Sequence, residues 1–485
     1  MSLRRSACLF LLVCLAPLSG SAHNPALSKL PVTTSSAAAR KRFDRAMEDL
    51  ECLRQSQAVE GLQQAVKLDP KFTQAWIMLA HISHDPEEQQ SARSHAKQTA
   101  AHATFGEGLL VRWLAGVQED DYVPAIAAMN DLLSRFPQDQ RLNFLAGAWL
   151  LNQQRYAQSI VILEKAIKLD PSYAAAVNEL AYAYAFSGDF EHAFSAMDRY
   201  VALQPNEPNP HDSYGEILRL AGKFDAALEQ YRQSIRIDPN FGSELGVADT
   251  YAVMGKEQEA REEYDRAIVF SGSTNDKVQY SLQSAVTWIR ENNRKQAEHA
   301  LREVAKHAHA VGLARWEAEA HRVLAMYEPD PKEALKQLQA AESALAQPRG
   351  LSRSDQAEEQ ARILQIRAMR QTELQPLDAA KATVQQLEKM AASSRSQVIQ
   401  LAYHSAAGAV LLGEGKFSEA VPHLEEDSSD PLSMKLLWKA YNATGATQSA
   451  SEVAAKLAAL NAPTTEQALV VPQFRASMVS QVQQP

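Results

Sequence analysis

The sequence contains few cysteines and few glycines. Only three of its 485 residues are cysteine, and Cys8 and Cys14 lie in an N-terminal stretch that we predict to be removed. Cys52 then remains alone, which excludes an internal disulfide and leaves packing as the source of stability. Glycine occurs only 19 times, and its scarcity beside abundant alanine favours helix over strand.

The chain also lacks an excess of basic residues. Its net charge is −9. Loss of Arg4 and Arg5 makes it −11, because residues 1–22 contain no acid. A chain this acidic is a poor match for nucleic acid or an anionic membrane surface. We therefore expect a basic or neutral partner and no nucleic acid.

Enzyme signatures are missing as well. The sequence has no H-E-x-x-H, G-x-S-x-G, G-x-x-x-x-G-K-[ST] or C-x-x-C motif. His81 and His84 share a helix, as do Glu317 and His321, but neither pair has a third or fourth metal ligand in view. We predict no catalytic residue, no metal and no cofactor, so that the protein is not an enzyme.

No apolar run is long enough to span a membrane. The most apolar stretch, A-C-L-F-L-L-V-C-L-A-P-L at 7–18, is well short of the roughly 20 residues that a spanning helix needs. It follows a basic start, and the small residues G-S-A at 20–22 precede His23. This layout is typical of a secretory signal peptide. We predict cleavage after residue 22 and an exported protein, periplasmic or secreted.

One short phrase returns along the chain. It reads A-V-K-L-D-P at 65–70, A-I-K-L-D-P at 166–171 and S-I-R-I-D-P at 234–239. Four of the prolines, Pro137, Pro171, Pro205 and Pro239, follow one another at intervals of 34 residues. A period between 20 and 50 residues indicates one supersecondary unit repeated in a solenoid.

Each unit reads as helix A, a short turn, helix B and a proline. Gly188, Gly222 and Gly255 stand where helix A must end, and glycine adopts the left-handed conformation there without strain. The proline helps to end helix B.

Two antiparallel helices approach closely only where their crossing point carries almost no side chain. Small residues recur at two such positions. On helix A the series is Ala46, Ala80, Trp113, Gly147, Ala181, Gly215 and Ala248, and on helix B it is Ala58, Ala92, Ala125, Ser159, Ala193, Ala227 and Ala260.

The period, the small crossing residues and the terminal L-D-P resemble the tetratricopeptide repeat. The resemblance covers residues 39–273 as seven consecutive units. Trp113 departs from it at a small position, Gly272 stands in place of a proline, and the unit 73–105 is one residue short. The resemblance implies an all-α fold, a right-handed α-solenoid of stacked antiparallel helical hairpins. It also implies a non-catalytic scaffold or adaptor that binds a protein or peptide partner.

The remaining segments are less regular. We predict a linker at 23–38, degenerate tetratricopeptide-like hairpins at 274–460, and a C-terminal cap and tail at 461–485. Within the irregular half, 352–374 reads as one long helix with Ser354 as its N-cap. A separate all-α domain in this half is the alternative.

In the resembled family helix A lines the concave groove, which implies a partner-binding site here. The inner positions are apolar in the earlier units and polar or acidic in the later ones. We predict that a partner segment, extended or helical, places apolar residues on the first part and a Lys or Arg near the acids. Asn178 would form a hydrogen bond with the backbone of the partner segment, and Tyr182 would pack against that segment. The predicted groove residues are Leu110, Leu114, Phe144, Asn178, Tyr182, Asp212, Glu216, Arg219 and Asp249.

Three alternatives stay open at this point. The apolar groove positions can instead pack between neighbouring helices while the acids are merely solvated. The solenoid can bind a peptide, a glycan or another small ligand. An enzyme with its active site in 274–460 is the third, and the missing motifs argue against it.

Overall fold

The structure is a computed structural model, and it describes residues 29–52, 54–346 and 351–482. The predicted signal peptide, 1–22, lies outside the described residues, as do residues 23–28 of the linker that follows it.

All regular secondary structure in the described ranges is α-helix, which confirms the predicted fold class. The helices are α1 (Ala37–Glu51), α2 (Gln55–Leu68), α3 (Thr73–Ile82), α4 (Pro86–Ala100), α5 (Phe105–Gln118), α6 (Tyr122–Arg135), α7 (Gln140–Asn152), α8 (Tyr156–Leu169), α9 (Ala174–Phe186), α10 (Phe190–Leu203), α11 (Pro208–Leu220), α12 (Phe224–Ile237), α13 (Glu244–Met254), α14 (Glu257–Phe270), α15 (Thr274–Arg290), α16 (Arg294–Ala310), α17 (Ala314–Tyr327), α18 (Pro331–Leu345), α19 (Arg353–Gln371), α20 (Asp378–Ser393), α21 (Gln397–Gly413), α22 (Phe417–Glu426), α23 (Pro431–Thr444), α24 (Thr447–Ala458) and α25 (Thr465–Val482). None of these helices has the length and apolar content that a bilayer-spanning segment requires.

Successive helices pack as hairpins, from α1 with α2 through α23 with α24. Gly188, Gly222 and Gly255 have φ angles of 87°, 75° and 79°, so the predicted left-handed turns are confirmed. Asp120 and Gln154 adopt the same left-handed conformation, with φ angles of 58° and 54°. Asn292 does the same, with φ 55°, so these three turns carry a side chain where Gly188, Gly222 and Gly255 have none.

The small crossing residues hold the two helices of a hairpin close together. Ala193 and Ala227 are completely buried. The Ser159 hydroxyl donates a 2.8 Å hydrogen bond from α8 to the Gly147 carbonyl of α7. A Cβ atom added at Gly147 would lie 2.5 Å from Leu163 Cγ, which is too close for two non-bonded carbon atoms. The absence of a side chain at this crossing is therefore a packing requirement.

We expect one substitution, glycine to alanine, to have opposite effects at two helical positions. Gly147→Ala should destabilise its hairpin by about 1–2 kcal/mol, because overpacking outweighs the gain in helix propensity. Gly108→Ala in α5 should stabilise by about 0.5–1 kcal/mol, since a Cβ there meets nothing within 4 Å. Urea unfolding of both variants measures the change in the free energy of unfolding and therefore its sign at each position. A stabilising Gly147→Ala would contradict close packing at the crossing.

The two halves of the chain touch each other through α19 and the turns of the third and fourth hairpins. The N-cap of α19 is Ser352, whose hydroxyl accepts from the Asp355 amide, so the predicted cap at Ser354 is wrong. Ser354 is instead turned towards α5, where its hydroxyl donates to the Val117 carbonyl and accepts from the Asp120 amide.

The left-handed turn residues extend this contact. The Ser394 hydroxyl donates to Asp120 Oδ1 at 2.8 Å, and Ser429 reaches Gln154 at 3.4 Å. The Gln397 amide donates to Gln153 at 3.3 Å. Polar groups of the C-terminal half thus form hydrogen bonds with two successive turns of the N-terminal half.

Both ends of the described chain dock onto the hairpins. Residues 29–36, which the sequence assigned to a linker, run across the third and fourth hairpins. There the Leu30 amide donates to Asp139 at 2.9 Å and the Thr33 amide to Glu107 at 3.0 Å. At the other end, where a short cap and tail were expected, α25 is an 18-residue helix that packs on α15 and on α23. It therefore joins helices that are far apart in sequence.

Candidate functional site

The apolar part of the predicted groove lies inside the packing of the chain itself. Leu110 and Leu114 are buried, with 3% and 4% of their surface exposed, and belong to the core of the first four hairpins. Phe144 packs edge-on against Tyr173 at 5.4 Å. Leu114 also lines a cavity of about 330 Å³ that the start of α19 covers from the opposite side, at Ser354. These residues fit the alternative in which apolar positions pack between neighbouring helices.

The polar part of the predicted groove is brought together by α9, α11 and α13. The Tyr182 hydroxyl donates to Glu216 Oε2 at 2.8 Å. Arg219 donates to Glu216 Oε1 and to Asp249 Oδ2, each at 3.1 Å. Asp212 lies one helical turn before Glu216 on α11. We call these residues, Tyr182, Asp212, Glu216, Arg219 and Asp249, the acidic cluster.

The acidic cluster has more negative than positive charge. Arg219, only 3% exposed, is shared between Glu216 and Asp249. The third carboxylate, Asp212, pairs with no base among the described residues. Burial raises the pKa of Asp212 to about 6. The nearby carboxylates of Glu216 and Asp249 add to the increase, whereas a hydrogen bond from Ser243 and the charge of Arg219 oppose it. The cluster is therefore short of at least one cation.

Asn178, the remaining predicted site residue, lies one helical turn before Tyr182. It is 5% exposed, and its side-chain oxygen has no hydrogen-bond partner among the described residues. A buried amide oxygen without a partner is uncommon in proteins. It is thus available to accept a hydrogen bond from a bound molecule.

Several residues beside the cluster were not predicted from the sequence. Phe186 is 46% exposed and stacks on Tyr182, with 6.0 Å between ring centroids, and on Tyr156 at 5.9 Å. The spacing of Tyr182 and Phe186, four residues on one helix, was a usable signal. Tyr264 on α14 also contacts the cluster, since its hydroxyl donates to Asp249 Oδ1 at 2.5 Å.

We expect Asp212→Asn to stabilise the fold at neutral pH. The folded-state pKa of about 6 lies above the ordinary 3.8. The contribution of Asp212 to stability is therefore complete below pH 3.8 and is lost as the pH rises through 6. The variant should gain on the order of 1 kcal/mol over the wild type between pH 4 and pH 8. Unfolding of both proteins across this range tests the sign, and a pH-independent difference would contradict it.

The fold and the comparisons together define the class of the protein. It is an all-α solenoid of stacked hairpins, and residues 150–216 and 212–241 match family models described as tetratricopeptide repeat. The chain therefore contains tetratricopeptide repeats within a solenoid of helical hairpins.

Curated relatives support the same assignment. The chain is 22% identical over 190 residues to anaphase-promoting complex subunit 3 of Schizosaccharomyces pombe, which covers 38% of this chain and 28% of that protein. It is 30% identical over 129 residues to cellulose synthase operon protein C of Xanthomonas axonopodis pv. citri, covering 25% of this chain and 8% of the relative. The chain thus matches less than a third of the length of either relative.

The chain also matches two solved structures over most of its length. The anaphase-promoting complex hetero-tetramer Cut9–Hcn1 is 16% identical, with a TM-score of 0.43, and covers 83% of this chain and 76% of its own. Yeast Tom70 is 13% identical, with a TM-score of 0.43, and covers 87% of this chain and 92% of its own. Within the ranges that the structure describes, no three His, Cys, Asp or Glu side chains converge as a metal site.

Proposed function

We propose that this tetratricopeptide repeat protein is a non-catalytic scaffold that binds a basic segment of a protein partner at the acidic cluster. The observation that carries the proposal is the Asp212 carboxylate, which forms no ion pair among the described residues and lies beside Glu216 and Asp249, two acids that share a single guanidinium. A lysine or arginine of the partner would supply the missing cation. An ion pair formed in such a partly dry setting is stronger than one on an open surface.

The surroundings of the cluster suit a peptide. The ring of Phe186 and the ring of Tyr182 provide an aromatic wall for the aliphatic part of a basic side chain. The side-chain oxygen of Asn178 can accept from a backbone amide of the partner. An extended or a helical segment can present both groups, and the proposal covers either form.

Photocrosslinking in cells tests the proposal. A photoreactive residue at Phe186 should capture a segment that contains Lys or Arg, identified by mass spectrometry. The matched control carries the same residue at Val161, which is 62% exposed on α8. Capture at Phe186 should fall severalfold in the Asp212→Asn background. Because that substitution is expected to stabilise the fold, the loss would not reflect unfolding.

Two outcomes would count against the proposal. One is equal capture of the same proteins from Phe186 and Val161, which would indicate nonspecific contact. The other is capture at Phe186 that does not depend on Asp212, because the basic group would then bind elsewhere.

We also propose that the protein is exported after cleavage before His23, on the basis of the N-terminal sequence pattern alone. The intact mass of the protein purified from its host measures this directly. A mass that retains residues 1–22 would contradict cleavage.

A further inference from the structure

A second polar region lies where α25 crosses the ends of α13 and α15 and the start of α14. These helices enclose a cavity of about 270 Å³. Val253, Met254 and Pro472 form an apolar wall. Gly255 and Glu291 line it as well and are exposed, so the cavity opens to solvent on that side.

Three residues that line this cavity each carry one buried polar atom that lacks a hydrogen-bond partner among the described residues. These atoms are Glu257 Oε2 on α14, Arg290 Nη2 on α15 and Gln467 Oε1 on α25. Gln467 is completely buried, and its side-chain nitrogen donates to the Leu460 carbonyl at 3.0 Å, which orients the amide. Buried polar groups are normally paired, and three unpaired groups from three helices around one cavity indicate a missing binding partner.

The three atoms differ in what they require. Glu257 and Gln467 present acceptors, whereas Arg290 presents a donor. Arg475 adds positive charge, since its guanidinium donates only to neutral groups, among them the Ala458 carbonyl at 2.8 Å. Burial raises the pKa of Glu257 to about 7, and Arg290 acts in the opposite direction. A cation next to Glu257 would keep it ionised.

We propose that this cavity binds a small α-amino acid in its zwitterionic form. The ammonium group would donate to Glu257 Oε2 and Gln467 Oε1. The carboxylate would accept from Arg290 Nη2 beside the charge of Arg475. A short apolar side chain would lie against the wall formed by Val253, Met254 and Pro472. Neither an amine nor a carboxylate alone satisfies both ends of the cavity.

Calorimetric titration of the full chain with L-valine tests the proposal. The matched probes are isobutylamine, which lacks the carboxylate, and isovalerate, which lacks the ammonium group. We expect saturable binding of one L-valine per chain. Each analogue should bind at least about tenfold more weakly, because each loses hydrogen bonds between charged groups.

Variants at the cavity complete the test. Glu257→Gln should weaken L-valine binding about tenfold, whereas Glu259→Gln, an exposed change on the same helix, should leave it unaltered. Equal unfolding midpoints of the two variants would show that the fold is retained. The proposal is overturned if L-valine does not bind at millimolar concentration, or if Glu257→Gln binds it as well as the wild type. A crystal structure grown with L-valine in which Arg290 pairs directly with Glu257 would also overturn it.

Discussion

Arg219→Met is expected to be among the most destabilising single substitutions in the N-terminal half, by about 3–5 kcal/mol. The guanidinium is 3% exposed and bonds Glu216 and Asp249, each at 3.1 Å. Its removal leaves the buried Asp249 and the partly exposed Glu216 without this counter-charge, and an uncompensated buried carboxylate costs far more than the pair itself contributes. Asp212 beside them makes the excess of negative charge larger.

The cost of this substitution should depend on pH. Burial already raises the pKa of Asp249 above its ordinary value and Arg219 opposes that increase, so without Arg219 the pKa of Asp249 would rise further. A carboxylate with a raised pKa supports folding fully only at low pH and loses that contribution as the pH rises. The deficit of Arg219→Met should therefore be small near pH 4 and largest near pH 8.

Arg236→Met on the next helix is the matched control. Arg236 is 55% exposed and pairs with Glu229 at 2.8 Å, and exposed pairs of this kind contribute about 0–1 kcal/mol. Hydrogen exchange should locate the damage of Arg219→Met in α11 and α13, because each hairpin of a solenoid depends mainly on its neighbours. If the two substitutions destabilised the protein equally, Arg219 would not act as the buried counter-charge of Glu216 and Asp249.

The repeated hairpins were predictable because their cause is local. A residue such as Ala193 or Gly147 must be small wherever two helices cross, and the requirement returns with every unit. The same periodicity identified which side chains of helix A share a face. That face includes the members of the acidic cluster, which the structure indeed brings together.

What lies opposite a given face was not predictable. Leu110 and Leu114 occupy inner positions, but whether they are open depends on the rotation accumulated over many hairpins. In the structure that rotation brings Ser354 against Val117, so α19 lies near residues placed in an open groove. Residues 29–36 have no period, and nothing local shows that carboxylates such as Asp139 would accept their amides.

The C-terminal helix is a further case in which local pattern was insufficient. The apolar patch from Leu469 to Phe474 was visible in the sequence and suggested a short cap. The structure shows that this patch and the neighbouring Ala468 pack on two separate cores. Ala468 joins the core of α15, while Val470 and Val471, 2% and 0% exposed, join that of α23 and α24. A helix with two buried faces acts as a brace and not only as an end cap.

Phe474→Ala should therefore destabilise the C-terminal half by about 3–5 kcal/mol, the usual cost of truncating a buried phenylalanine. Phe474 is 5% exposed and packs edge-on against Trp438, with 5.3 Å between centroids. Phe270→Ala, at a residue 62% exposed, is the control and should cost well under about 1 kcal/mol.

The decisive readout is hydrogen exchange in α15, which is about 190 residues from Phe474 in sequence and packs directly on α25. Faster exchange there, with α1 and α2 unchanged, is expected of a brace. If protection were lost only in α24 and α25, the helix would be no more than a terminal cap.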